Sequence, residues 1–333
     1  MLAPRVDRRL AALLDRERAS PPNLSGLVEA GLDQLPLPGT GRTLERWQAL
    51  TAVAACDLSL VKRFEGHTDA LAILAELGGA EAPAGSRWGT WCAEPPNARL
   101  ALRRRGDRWV LEGTKAWCSG AADVTHAVIS CWDDDGAPRL AAVAMSQPGV
   151  QVTDQGWQAV GMADTGSVDV LFDGAIATPV GEPGEYVARA GFWHGGAGIA
   201  ACWYGGAFGI AEMTRRQAGP KTDAHKLAHL GAIDVALAGA AAVLRETAAW
   251  IDEQPSSLAH QPALRARLVV EAAATTVLLH AGRAMGAGPL CRDARMARAM
   301  ADLPVFLRQS HAERDLAGLG ESLLSPQESP WTL

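Results

Sequence analysis

Arg108-Trp109-Val110-Leu111-Glu112-Gly113-Thr114-Lys115-Ala116-Trp117-Cys118-Ser119-Gly120 reads as a strand, a Gly-Thr-Lys turn and a second extended segment. In extended chain Trp117 and Ser119 stand two residues apart and so share a face. An aromatic beside a hydroxyl at that spacing suits a flat heterocycle, which needs one face covered and one ring edge hydrogen-bonded. The same pair would also serve as a core tryptophan with a surface hydroxyl, so the flanking pattern decides between them.

Outward from this stretch, short apolar runs at 88–93, 100–104, 109–112, 127–132, 140–144, 150–153 and 168–172 are separated by turn residues, among them Gly106-Asp107 and Asp134-Asp135-Gly136. Short strands at this spacing predict a compact antiparallel barrel or sandwich, not alternating βαβ units. Before the strands, from Val6 to about Ala82, the period is helical. It is clearest over 60–77, where Phe64, Ala70, Leu71, Leu74 and Leu77 recur at spacings of three and four. After the strands, Leu227, Leu230, Ile233, Leu237, Ala241, Leu244, Ala248 and Ile251 trace one apolar stripe. A second long helix is expected over 264–285, with Leu268, Ala272, Thr275 and Leu279 inward and Gly286-Ala287-Gly288-Pro289 breaking it. The expected fold class is α+β and multidomain. It comprises an N-terminal helical domain (1–84), a central antiparallel β-barrel (85–180) and a C-terminal antiparallel helical bundle (181–333).

The 333 residues are 48% hydrophobic and 20% charged, a globular composition. The formal net charge of −6 argues against a nucleic-acid partner, which would select a basic face. Arg103-Arg104-Arg105 with Arg108 is the one basic cluster, and on a hairpin it reads as a solvated strand edge. Cysteines 56, 92, 118, 131, 202 and 291 form no C-x-x-C pair, which predicts thiols in a reducing compartment and a cytoplasmic location. Residues 1–18 mix arginines and acids among their leucines, so no secretory leader is expected. The segment 190–211 carries no charge over about a membrane-spanning length. Its Gly and Ala content, with His194 and Cys202 and without Leu or Val, instead predicts a buried bundle or interface helix. No membrane is expected, and a homodimer or homotetramer is.

A helical block, a strand block and long antiparallel helices, in that order, resemble the acyl-CoA dehydrogenase family of flavoproteins, in a divergent and short form. Thr90-Trp91-Cys92-Ala93-Glu94-Pro95 stands where the family has an aromatic-rich strand ending Thr-Glu-Pro. Gly113-Thr114-Lys115-Ala116-Trp117-Cys118-Ser119-Gly120 is similar to Gly-x-Lys-x-Trp-Ile-Thr-Asn, with Ser119 for threonine. Gly161-Met162-Ala163-Asp164-Thr165-Gly166 is similar to Gly-x-Arg-x-Ser-x-Thr but lacks the arginine. Gly205 to Gly209 occupies the place of a small-residue helix stretch, and Arg215-Arg216-Gln217-Ala218-Gly219 that of Arg-x-x-Phe-Gly. Arg292-Asp293-Ala294-Arg295 is similar to the Arg-Asp-Ala-Arg before the catalytic turn. The resemblance implies FAD between barrel and bundle, touched by Trp91, Cys92, Ala93, Trp117 and Ser119, with Arg215 meeting a neighbouring subunit's cofactor.

It also implies α,β-dehydrogenation of a small acyl substrate, carried as a coenzyme A or carrier-protein thioester. That chemistry needs a carboxylate base. The family positions for it fall on Ala301 and near Ile199, and neither is an acid. Asp302 and His194 are the two substitutes. Asp302 is rotated by about 100° on a helix, with Pro304 expected to end that helix. His194 is a costly imidazole in an uncharged segment. Histidines 225 and 229 would share a helix face without a third metal ligand, and His311 lies in an exposed closing segment. Oxygenation or oxidase chemistry with reduced flavin needs no such base and is the alternative on the same fold. A non-catalytic partner subunit is the third reading.

Overall fold

The computed structural model describes residues 8–16, 22–79, 81–95, 99–324 and 331. The expectations for 1–7, 17–18 and 332–333 lie outside these residues. Four helices come first: α1 (Arg8–Arg16), α2 (Leu24–Glu29), α3 (Thr43–Cys56) and α4 (Leu58–Glu76). Asp57 separates α3 from α4 and caps the latter, its carboxylate accepting the Leu60 N–H at 2.6 Å.

The strands are β1 (Trp88–Trp91), β2 (Ala101–Arg105), β3 (Arg108–Cys118), β4 (His126–Trp132), β5 (Pro138–Ala144), β6 (Val150–Val152) and β7 (Val168–Val180). They fall where the sequence places them, but the expected antiparallel barrel is corrected to a mixed sheet. β1 runs parallel to β4, Trp88 opposite His126 and Trp91 opposite Ile129. β2 meets β4 through one parallel bridge, Ala101 with Trp132. The ladders β2–β3, β3–β7, β7–β5 and β5–β4 are antiparallel, and β6 joins β7. The direction of β1 is set by a helix and not by a hairpin. The Trp88 N–H donates to His67 Nδ1 and the Thr90 hydroxyl to the Gly66 carbonyl, both on α4. The basic residues of β2 are matched individually: Arg103 by Asp134, Arg105 by Glu112, and Arg104 over the Trp109 ring.

After the sheet come α5 (Glu185–Ala188), α6 (Ala190–Arg216), α7 (Ala224–Glu253), α8 (His260–Met285), α9 (Ala287–Arg292), α10 (Ala294–Leu307) and α11 (Glu313–Ser322). α6 is the axis of the bundle, packed by α3, α4, α7, α8 and α10. Its small residues are a geometric requirement. A Cβ on Gly205 would lie 2.5 Å from the Thr51 carbonyl oxygen, and one on Gly209 2.9 Å from that of Ala55.

The helices correct three other expectations. Pro304 sits inside α10, which runs on to Leu307 because Leu303, Phe306 and Leu307 are anchored in the core. α8 buries Ala263, Ala266, Val270, Ala274, Val277 and Ala281, while Ala272, Thr275 and Leu279 face outward. Alanine permits the close approach to α6 that leucine would block. The apolar stripe of α7 is buried at Ile233, Leu244 and Ile251 but bare at its start, where Leu227 is exposed. The uncharged segment is therefore covered within the chain. Among the described residues, α7 and α8 are the helices long and apolar enough to cross a membrane by length and composition.

Candidate functional site

β3 leaves regular geometry at the residues singled out from its sequence. Its pairing with β7 shifts register between Lys115 and Cys118, and Trp117 adopts a left-handed φ of 58°. A tryptophan there is an outlier, and outliers of this kind concentrate at functional sites. The consequence is direct: Trp117 is 50% exposed while its neighbours Lys115 and Cys118 are buried.

Ser119 is held from both sides. The Trp91 indole N–H donates to its carbonyl at 3.1 Å, and its hydroxyl bonds the Ser167 hydroxyl at 2.8 Å. Ser167 bonds Thr165 at 2.8 Å, and the Thr165 hydroxyl donates to the Met162 carbonyl at 2.7 Å. Thr165 and Ser167 are buried and Ser119 is only half-buried, so this file of hydroxyls opens at Ser119. The Gly120 N–H closes the frame on the Thr165 carbonyl at 2.7 Å.

The far end of the file is fixed to α10. Met162, also left-handed at φ 57°, donates its N–H to Asp302 at 2.5 Å. Arg298 and Asp164 form a second tie. Asp302 is thus a cap for a loop. Burial raises its pKa, while the Met162 N–H draws it back. The expectation of α10 ending beside it does not hold, and sequence gave no sign of a partner 140 residues away. Because its folded pKa is raised, Asp302 weakens the fold above its ordinary carboxylate pKa, and that penalty fades on acidification. Asp302→Asn keeps the acceptor oxygen, so it is expected to leave stability at pH 7 unchanged or slightly higher. Asp302→Ala strands a buried N–H and is expected to cost about 1–3 kcal/mol. Urea titrations of the two variants test the cap, and equal stability in both would show that the Met162 N–H does not depend on the Asp302 oxygen.

The other residues of interest lie apart. Trp91 is core, and Ala93 is exposed. Burial pushes the Cys92 thiol up to about 11, against the pull of Lys115. Arg215 lies on an exposed face of α6, forked onto Glu212 at 2.8 and 2.9 Å. His311 precedes α11, with Nδ1 3.5 Å from Asp315. His229 meets His280 of α8 across 2.9 Å, a pairing not visible in the sequence. Among the described residues no group of three or more metal-ligating side chains is present.

His194 is buried in the first turns of α6 and lines a cavity of about 250 Å³ with Asp69, Glu76 and Arg189. Burial lowers its pKa, keeping the imidazole neutral. A larger groove of about 590 Å³, lined by Thr114, Gln151, Asp154 and Asp169 among others, carries acids and no cation, which is unsuited to a phosphate. α4 connects the two regions of interest. Arg63 lies against Gly120, and Asp69 follows six residues later, about 9 Å along the helix axis.

The protein has the acyl-CoA dehydrogenase-type fold. The sequence profile of the acyl-CoA dehydrogenase middle domain matches residues 90–175. The amino sugar nitrososynthase DnmZ of Streptomyces peucetius is 39% identical over 117 residues, 32% of this chain and 28% of that protein. The match therefore spans little more than a quarter of that relative. Among solved structures, KijD3 with FMN and a dTDP-linked amino keto sugar superposes with a TM-score of 0.79 at 22% identity, covering 94% of this chain and 91% of that one. TdsC of Paenibacillus sp. A11-2, with FMN and indole, gives 0.78 at 20%, covering 96% and 94%. The methanesulfinate monooxygenase MsuC of Pseudomonas fluorescens gives 0.77 at 21%, covering 98% of each chain.

Proposed function

We propose that this protein is a flavin-dependent oxidoreductase that uses reduced flavin and oxygen as a monooxygenase. The observation carrying it is the site's chemistry. Trp117 offers an exposed ring face and Ser119 an open hydroxyl, while the positions for a dehydrogenase base are Ala301 and Ile199 and the nearby Asp302 is engaged as a cap. Such a surface fits a planar heterocycle. The flavin, when bound, supplies the redox chemistry. Trp117 would cover one face of its ring system, and Ser119, steadied by Ser167 and Thr165, would hydrogen-bond its edge. FMN, which KijD3 and TdsC hold in their complexes, is favoured over FAD as the cofactor. Dehydrogenation of an acyl thioester is the weaker reading, because Ala301 and Ile199 are not acids and Asp302 is engaged by the Met162 N–H.

A second copy of the chain is the proposed cover for the apolar outer face of α7 and α8, where Val235 is 74% exposed, and light scattering of the purified protein tests it. The buried thiols of Cys118, Cys131 and Cys202, all raised in pKa by burial, suit a reducing compartment, and a cytoplasmic location is proposed.

The test is an absorbance titration with FMN, and separately with FAD, between about 300 and 550 nm. Trp117→Ala is expected to weaken flavin binding by about 10- to 100-fold, the equivalent of roughly 1–3 kcal/mol of lost stacking. Rapid reoxidation of the dithionite-reduced, loaded protein in air is the expected result for oxygen chemistry. Failure of the wild type to bind either flavin would overturn the proposal.

A further inference from the structure

The file of hydroxyls behind Ser119 has a direction, and its inner end sets it. A hydroxyl has one proton to give and two lone pairs with which to accept. The Met162 carbonyl can only accept, so at 2.7 Å the Thr165 proton lies between the two oxygens. Thr165 then has nothing left to give Ser167, and across their 2.8 Å contact Ser167 is the donor. The same count passes outward. With its proton spent on Thr165, Ser167 accepts from Ser119 at 2.8 Å. Any other assignment leaves two oxygens facing each other with no proton between them. Ser119 therefore turns its proton inward, and its half-buried oxygen offers only lone pairs to whatever meets it. Donation along the file strengthens that oxygen as an acceptor.

The surroundings make this direction hard to reverse. Thr165 and Ser167 are 2% and 4% exposed, which shuts out the water that could take or give a proton. The Trp91 indole N–H holds the Ser119 carbonyl, and the Gly120 N–H holds that of Thr165. The Met162 carbonyl is fixed in turn, since it also accepts the Trp157 indole N–H at 3.1 Å.

An acceptor beside a flavin edge tells redox states apart. The ring nitrogen at the reactive edge is bare in the oxidised form and would face lone pairs with a lone pair. In the reduced form the same nitrogen carries a proton to donate. We propose that Thr165, acting through Ser167 and Ser119, makes this site selective for reduced over oxidised flavin. Thr165 is a positioning residue, buried behind Ser119 and deciding which partner Ser119 can serve. The inference rests on the flavin reading and deepens it by assigning the redox state that the site holds.

The experiment is calorimetric titration of the full chain with oxidised FMN and, under nitrogen, with photoreduced FMN. The wild type is expected to bind the reduced form roughly tenfold more tightly. That ratio corresponds to about 30 mV in the midpoint potential of a two-electron couple. Thr165→Val removes the inner donor, so Ser167 can give its proton to Ser119 and Ser119 its own outward. The preference should vanish there and return in Thr165→Ser. A purely structural role would weaken both forms alike and leave their ratio unchanged. Should Thr165→Val disturb the loop, Ser167→Ala removes the acceptor of the Ser119 proton and should lose the preference too. Equal affinity of the wild type for the two forms, or a preference that survives in both Thr165→Val and Ser167→Ala, would overturn the proposal and leave the flavin reading standing. Binding of neither form would remove both.

Discussion

Gly161→Ala is expected to destabilise the protein by about 3 kcal/mol, at the upper end of what overpacking costs. An added Cβ would lie 2.0 Å from the Ala301 carbonyl oxygen, 2.7 Å from its carbon and 2.9 Å from Val305 Cγ2. Two of these atoms are helix backbone, and α10 cannot retreat without giving up its own hydrogen bonds. Relief must come from the loop, which would lift Met162 away from Asp302. The file of hydroxyls running from Met162 through Thr165 and Ser167 to Ser119 would lose its anchor. A melting temperature lower by roughly 5–10 °C and a weakened FMN spectrum should therefore appear together. A variant that melts like the wild type would show that the loop is not seated on α10 as described.

His67→Leu should cost still more, about 3–5 kcal/mol, because it strips a buried carboxylate of its histidine partner and leaves the Gln34 amide as its only side-chain partner. His67 and Asp33 are 1% and 5% exposed, and their side chains meet at 3.2 Å. Since His67 Nδ1 accepts the Trp88 N–H, Nε2 carries the proton and donates to Asp33. Burial works to raise the Asp33 pKa, but the His67 hydrogen bond and further bonds leave it below the ordinary carboxylate value. In the wild type this contribution is complete above the unfolded pKa and is lost as pH falls through the folded one. Without His67 the burial penalty dominates and the direction reverses. His67→Leu should then be less destabilised at pH 5 than at pH 8, which denaturation at the two values would show. Equal losses at both would mean that Asp33 does not carry the charge.

What could be read beforehand follows from distance along the chain. Turn pairs such as Gly106-Asp107 and the alternation beside them are local, so every strand was placed. β3 and β7 were read short because they continue through Gly113 and Gly174, residues that normally mark an end. Partners were not legible. Nothing in 88–91 says that this strand lies parallel to 126–129, and nothing near Asp302 points to Met162. The face of α8 was misjudged because leucine was assumed to lie inward, whereas a glycine-rich neighbour admits alanine and turns the larger side chains out. Trp117 and Ser119 stood out from sequence. The left-handed backbone that exposes one, and the Ser167–Thr165 support of the other, did not.

The single bridge between β2 and β4 has a consequence for motion. Every other junction along the closed path of strands rests on several paired residues, whereas here, among the described residues, Ala101 and Trp132 stand alone. Opening at this point breaks the fewest hydrogen bonds, so it is the cheapest local unfolding of the sheet. Amide hydrogen exchange should be fastest at the Trp132 N–H, which donates to the Leu100 carbonyl at 3.0 Å, and slow across β3 and β7. The ladder that presents Trp117 and Ser119 is thus on the durable side of the sheet, and the strain of breathing falls on the opposite seam.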